Sequence, residues 1–533
     1  MTTDLSRRNF IAATAAMGAA AAAASAATGT VRADEAAATG TDVLPTDYTI
    51  DGEAEYDLVI VGGGFSGGIA AMEAADTGAK IAVVEKKFAL GGNADYTEGV
   101  FGLDSQMVKD SGVAVELDIP ALVHNELTFT NWRTDGRVWY DVFGHSGEDI
   151  DWLAEHDICF DHVDDYLGVS TVPCFHWWEG ESGRTVGENV QKHLDTMNNV
   201  DVMLETEAID IVMDGKAVAG IVVQDAEGTT TLLKTLKVIM ATGGFVDNRE
   251  MVYEVTDTKV AQTLGRGYDG KGHAMMIKAG AKQCTASSVN NLAVGTEAEG
   301  HYFLAISNLT LAACYQSLLT VNEDGERFVD ENLFNEKFTV CWVNALKQQK
   351  AAYTFFGQNI IDIFMNGRGA FNTYGPGKAG TQLKDLVNEL EELCAKGTGD
   401  VFRGETLEEL AVAAGMDPAA LTGQIERYNH YCETGVDEEF ACPADNLIPT
   451  GDGPYYLVKV QPAPYTTVGG VQMDRQNRVV GVDGEPIEGL YSCGVEGCSL
   501  FKETYNYGIS GGQGAYNIYS GRNAAKTAMG VSW

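Results

Sequence analysis

The chain has 533 residues, 45% hydrophobic and 21% charged, enough to bury a large core and to divide into more than one domain. A formal charge of -40 repels phosphate backbones and anionic lipid surfaces, which argues against nucleic acid or a bare membrane as a partner. The ten cysteines lie far apart, without the CxxC pairs of zinc ribbons, the runs that hold iron-sulfur clusters or a CxxCH haem-attachment pattern, so no metal site is expected and electrons must come from another protein.

At the amino terminus Ser6-Arg7-Arg8-Asn9-Phe10-Ile11 precedes a weakly apolar, alanine-rich stretch, and Val31-Arg32-Ala33 supplies a small-residue cleavage site. Residues 1–33 therefore read as a twin-arginine signal. Alanine and glycine contribute too little transfer energy, over too short a stretch, for a membrane anchor. The expected location is extracytoplasmic, periplasmic or cell-surface, reached by export of the folded protein with its cofactor aboard. Residues 34–53 are rich in Ala, Thr, Gly and Asp, show no apolar periodicity, and are expected to be a linker outside the fold.

Residues 56–61 are a short apolar run, expected to be a buried parallel strand, and Gly62-Gly63-Gly64-Phe65-Ser66-Gly67 follows at once. In that pattern Gly62 permits the tight turn, Gly64 lets the backbone approach a pyrophosphate, and Gly67 lets the next helix pack closely on the strand. The helix is expected to run to about residue 77 and a second strand to span 80–84. Glu85 then stands where a ribose-binding acid belongs, with Lys86 beside it. A lone glycine pattern is a weak signal, but strand, helix, second strand and acid together mark a dinucleotide site. NAD and FAD proteins share it.

Further motifs decide between them: Gly91-Gly92-Asn93, Ala241-Thr242-Gly243-Gly244-Phe245, Asp269-Gly270-Lys271-Gly272, Asp324-Gly325-Glu326-Arg327-Phe328, Tyr428-Asn429, Pro454-Tyr455-Tyr456, Thr467-Val468-Gly469-Gly470 and Gly489-Leu490-Tyr491-Ser492-Cys493-Gly494. In this order they resemble the flavoprotein subunits of the fumarate reductase and 3-ketosteroid dehydrogenase superfamily, over essentially the whole mature chain. The resemblance implies FAD and an α/β fold, a Rossmann-like FAD-binding domain with an inserted α+β capping domain. The implied boundaries are 54–286 and 454–533 for the FAD domain and 287–453 for the cap. It also implies cofactor contacts from Gly62, Gly64, Ser66, Gly67, Glu85 and Lys86, then from Gly91, Gly92, Asn93, Ala241, Thr242, Gly243, Asp269 and Gly494. Near the carboxyl end, Ser510 and Gly511 lie in a glycine-rich stretch expected to open a helix whose free N–H groups meet the flavin's pyrimidine edge.

The same comparison exposes losses. Fumarate reductases grip two carboxylates and protonate carbon with arginine. Here the proton-donating arginine falls on Asn335, the substrate histidine on Thr466, the relay pair on Leu311 and Cys314, and the carboxyl-end arginine is missing from Tyr505-Asn506-Tyr507-Gly508. The replacements include Phe334, Tyr465, Tyr505 and Tyr507, a neutral aromatic set suited to a larger, flatter alkene. Thr504-Tyr505 resembles the Thr-Tyr of ketosteroid dehydrogenases, so Tyr505 is expected to polarise a conjugated carbonyl and Tyr507 or Tyr465 to supply a proton; a packed aromatic wall is the alternative. Arg327, Glu336, Glu496, Lys502 and Glu503 are expected in surface or structural ion pairs.

The function these residues point to is an extracytoplasmic, FAD-dependent reductase of an activated C=C bond in a small-molecule alkene, in anaerobic respiration. No flavin-attachment segment is evident, and an external donor such as a cytochrome or FMN-bearing protein is expected to feed it. The alternatives are a ketosteroid-type dehydrogenase working in the reverse direction and a flavin carrier that has lost its chemistry.

Overall fold

The computed structural model describes residues 43–113, 118–166, 170–181, 183–260, 267–284, 292–294, 307–333, 343–367, 369, 380–462, 464, 466–467, 469–497, 500–501, 505–506 and 508–533. Strand β1 is Gly52–Glu55 and β2 is Leu58–Val61. Helix α1 spans Phe65–Ala75, shifted by two residues toward the amino terminus from the 67–77 expected, and β3 spans Ile81–Val84, within the 80–84 expected. β2 and β3 are buried along their whole length, as continuous apolar runs covered on both faces should be.

In chain order there follow β4 (Gly99–Phe101), α2 (Ile119–Phe129), α3 (Gly136–Glu155), β5 (Phe160–Asp164), β6 (Phe175–Trp178), β7 (Val200–Met203), β8 (Thr206–Asp214), β9 (Ala217–Asp225), β10 (Thr230–Lys234) and β11 (Val238–Met240). α4 is Lys271–Lys278. The second half holds β12 (Leu292–Val294), β13 (Thr320–Asn322), β14 (Ala352–Phe356), β15 (Val401–Gly404), α5 (Pro418–Thr434), β16 (Tyr455–Pro462), β17 (Arg478–Val480), β18 (Pro486–Ser492) and α6 (Gly512–Met529).

The main sheet contains the parallel run β7-β3-β2-β11-β18, in register Ile81↔Val200, Leu58↔Ile81, Val238↔Val59 and Val238↔Leu490. By order of appearance these are strands 3-2-1-4-5, the doubly wound α/β arrangement. Successive connections leave β2 on opposite sides, so a crevice opens beyond its carboxyl end. The antiparallel meander β8-β9-β10 extends the sheet, and β1 closes its edge parallel to β10. α1 is buried at every residue except Glu73, whose carboxylate meets Arg522 at 2.8 Å and Lys526 at 2.7 Å on α6. A Cβ on Gly521 would stand 2.5 Å from the Ser66 carbonyl oxygen, so that glycine lets α6 lie directly on α1.

The second sheet is antiparallel, in the order β12-β16-β14-β13 with β15 also on β16. Leu319, Val321, Phe355 and Leu457 pack with Leu410, Leu421 and Ile425 into a separate apolar cluster. α5 is bounded at both ends: Asp417 caps the Ala419 N–H, Pro418 occupies the first turn, and Gly435 ends the helix at φ 70. A second helix of this half spans Leu386–Lys396.

Two sequence-based boundaries move. The linker expected over 34–53 does not lie wholly outside the fold, because Gly52 and Glu53 belong to β1, Leu44 is buried in the main core, and Tyr48 donates to Asp210 at 2.7 Å. Edge-strand pairing uses backbone groups, to which composition is blind. The return to the FAD domain, expected at residue 454, comes after Pro462 by sheet membership, since β16 pairs with β14 and β15.

Candidate functional site

The crevice begins where β2 ends. Gly62 turns the chain at φ 97, and a Cβ there would lie 2.4 Å from the Ala241 carbonyl oxygen at the end of β11. The turn and the β11 loop therefore touch through bare backbone. Gly64 precedes α1 and no side chain caps that helix, so its first N–H groups and positive dipole end are left for an anion. A Cβ on Gly64 would meet only Gly92 Cα, at 4.0 Å. The space beside Gly64 is a cradle kept open by the absence of side chains.

Glu85 follows β3, buried, with Oε2 accepting from the Gly63 N–H at 2.8 Å and Oε1 from the Lys87 N–H at 2.9 Å. Two backbone donors fix the carboxylate, and a carboxylate has about four acceptor sites, so it can still receive a pair of ribose hydroxyls. The cleft spans about 620 Å³ of non-atom space, part of it open solvent.

Of the residues expected to hold the cofactor, Gly62, Gly64, Glu85, Lys86, Gly92, Ala241, Thr242 and Asp269 line this cleft. Ser66, Gly67, Gly91, Asn93 and Gly243 stand behind or beside its wall: Gly91 donates to the Gly63 carbonyl at 2.9 Å, and a Cβ on Gly243 would strike the Tyr268 ring at 2.4 Å. Gly494 is brought against α1, where its Cβ would lie 2.1 Å from Ser66 Oγ. Ser510 and Gly511 immediately precede α6, which also lacks a side-chain cap; Ser170 Oγ donates to Ser510 Oγ at 2.8 Å and Phe101 N–H to the Gly511 carbonyl at 3.2 Å.

Sequence reasoning missed Thr206, Glu207 and Ala208 at the start of β8, and Lys87, Tyr268, Lys271 and Met275, all in the lining. Lys86 pairs with Asp269 at 3.2 Å and Lys271 with Glu207 at 2.8 Å. Tyr268 and Lys271 flank or belong to a motif that was singled out. The start of β8 carries no local signal at all.

Glu496 does not follow the ion-pair expectation. It is fully buried, its Oε1 accepts from the Gly244 N–H at 2.5 Å, and burial pushes its pKa up to about 7 against that opposing hydrogen bond. Arg327 does follow it, with Glu331 at 2.7 Å and Asp437 at 2.8 Å.

Among the expected catalytic residues, Asn335, Tyr465 and Tyr507 lie outside the described residues, as do Phe334, Glu336, Lys502, Glu503 and Thr504. Tyr505 is buried, its ring 5.0 Å from that of Phe501 in the main core. Leu311 and Cys314 are buried on the helix Asn308–Cys314.

The uncapped helix end, the open cradle at Gly64 and the acid at Glu85 fit an adenine dinucleotide, and the comparisons with known proteins name it. Residues 57–510 match the family described as FAD binding domain. A vinyl phenol reductase of Lactiplantibacillus plantarum is 30% identical over 484 residues, covering 89% of this chain and 96% of that protein. A urocanate reductase of Eggerthella lenta is 26% identical, covering 83% and 69%. The fold is that of a 3-ketosteroid Δ1-dehydrogenase from Sterolibacterium denitrificans, with a TM-score of 0.66 at 19% identity, covering 89% of this chain and all of that one. The protein is an FAD-dependent oxidoreductase, and the chain belongs to the family described as FAD binding domain.

Proposed function

We propose that this protein is an exported, FAD-dependent reductase of an activated C=C bond in a neutral or phenolic alkene, fed by an external electron donor. The carrying observation is the 30% identity along nearly the full length of a vinyl phenol reductase, combined with Asn335, Thr466 and Tyr505-Asn506-Tyr507 where a dicarboxylate reductase needs basic residues. When bound, FAD would supply the hydride chemistry. The chain's own residues have the remaining tasks: the cleft walls hold the dinucleotide, Tyr505 polarises the conjugated end of the alkene, and Tyr507 or Tyr465 delivers the balancing proton. With no arginine pair to neutralise two carboxylates, fumarate is disfavoured.

An anaerobic assay with reduced viologen as donor tests the reading against 4-vinylphenol, hydroxycinnamates, a steroid enone, urocanate and fumarate. Viologen oxidation is expected with a phenolic or neutral alkene, at least about tenfold faster than with fumarate, a difference of ~1.4 kcal/mol in barrier. Fumarate turning over at an equal rate, or no acceptor at all with FAD bound, would defeat it.

Export rests on Arg7 and Arg8 and the stretch behind them. Changing both to lysine is expected to leave the flavoprotein in the cytoplasmic fraction of a host with a twin-arginine system. Unchanged export would remove the localisation.

A further inference from the structure

The segment that carries Tyr505 is pinned to one helical hairpin, α2 and α3. Thr134, in the turn between those helices, donates to the Leu500 carbonyl at 2.5 Å. Six residues further on, Asn506 Nδ2 donates to Glu126 Oε1 on α2, also at 2.5 Å. Asn506 Oδ1 in turn accepts from the Gly508 N–H at 2.9 Å, and the Gly508 carbonyl accepts from Thr171 N–H at 2.7 Å. The asparagine side chain is thus the link between the backbone after Tyr505 and the helix beneath it.

Glu126 is an unusual residue for that place. It lies on the same buried face of α2 as Leu122 and Val123 and is wholly shielded from solvent. No cation pairs with it among the described residues, and its Oε2 has no hydrogen-bond partner among them. A leucine would pack there at lower cost, and a glutamine would receive the Asn506 bond equally well. An ionisable acid in that position needs a reason.

We propose that Glu126 in its protonated form is a positioning residue for the reaction: it holds Asn506, and with it Tyr505, in the arrangement used to reduce the alkene, and loss of its proton ends turnover. The inference rests on the reading that Tyr505 faces the substrate. Burial pushes the Glu126 carboxyl up to about 8, opposed only by the Asn506 hydrogen bond. Charged groups on the surrounding elements are engaged elsewhere: Arg133, beside Thr134, with a partner other than Glu126, Arg137 with Asp135, Asp141 with Arg475, and Asp118 at the amino terminus of α2. His124 lies against Trp132, Tyr505 is the titratable group on the facing segment, and Lys502, Glu503 and Tyr507 are outside the described residues. At neutral pH the acid is therefore an uncharged partner. Once ionised, it is a buried charge with no cation among the described residues, and the local packing must open to hydrate it.

The FAD-loaded enzyme and its E126Q and E126L variants test this through kcat/KM between about pH 6 and 9.5, with flavin content checked at each point. Wild type is expected to lose activity on an alkaline limb near 8, and E126Q, neutral throughout, to lack that limb. E126L should fall about tenfold or more in kcat/KM at neutral pH with FAD retained, and E126Q should rescue it. An identical limb in E126Q, or wild-type kinetics in E126L, would overturn the proposal.

A second readout needs no acceptor. The folded chain keeps a proton that the unfolded chain releases near 4.5, so wild-type stability relative to E126Q should fall as pH rises from there to about 8. If the acceptor screen fails but this difference in melting temperature appears, the function is wrong and the neutral acid stands. If the difference is absent, the acid is not held neutral and the proposal fails whatever the screen shows.

Discussion

Gly67→Ala is expected to yield protein without flavin. The third residue of α1 faces the turn from β2, and a Cβ there would lie 1.9 Å from the Gly62 carbonyl oxygen and 3.0 Å from Ala241 Cβ. Neither neighbour is the end of a flexible side chain. Relief requires α1 to move away from β2 and β11, which carries its free N–H groups away from the pyrophosphate position. Overpacking against backbone costs about 3 kcal/mol or more, equivalent to roughly two orders of magnitude in FAD affinity. The measurement is visible flavin absorbance per chain after purification, followed by titration of the apoprotein with FAD. Gly78→Ala is the control: φ is 76 there and nothing lies within 4 Å of the added Cβ, so a modest loss of stability with normal flavin content is expected. A flavin-replete Gly67→Ala protein would remove the dinucleotide assignment from this turn.

Arg327→Met is expected to unfold the second sheet's half of the molecule at a lower temperature while FAD binding survives. The guanidinium is fully buried, joined to Glu331 at 2.7 Å and to Asp437 at 2.8 Å, and stacked near Tyr428 and Phe440 with centroids at 5.3 Å and 5.0 Å. Asp437 also accepts the Cys442 N–H at 3.0 Å, and Glu331 Oε1 accepts the Thr320 N–H at 3.1 Å, so the ion triad ties β13 to the segment after α5. Removing the cation leaves two buried carboxylates facing each other, which costs about 3–5 kcal/mol. A unit of this size loses roughly 2–4 °C per kcal/mol, so the melting temperature should drop by about 10 °C. Adding Glu331→Gln and Asp437→Asn should restore most of it, because the penalty lies in the uncompensated charges. A single variant as stable as wild type would show that the triad contributes nothing.

Several elements of the candidate site were legible because their causes are local. A tight turn, a helix start and an acid closing the next strand must all occur within Leu58 to Glu85, so the glycine spacing and the apolar runs were enough. The helix Pro418–Thr434 likewise has local causes, with capping and termination residues at its own ends. The sequence was silent on the start of β8, whose Thr206, Glu207 and Ala208 complete the cleft only because β8 is delivered there by the sheet.

What the chain's letters determined by themselves was the class of chemistry: a dinucleotide turn and a fixed succession of flavoprotein motifs. The tertiary structure alone decided which distant groups meet. It placed Gly494 on Ser66, β16 in the second sheet, and Asn506 on Glu126 across 380 positions of sequence. Turns and helix caps are set by neighbouring residues and so leave a pattern in order and spacing. A buried acid and the amide that meets it are joined only by packing, which has no period and writes no motif.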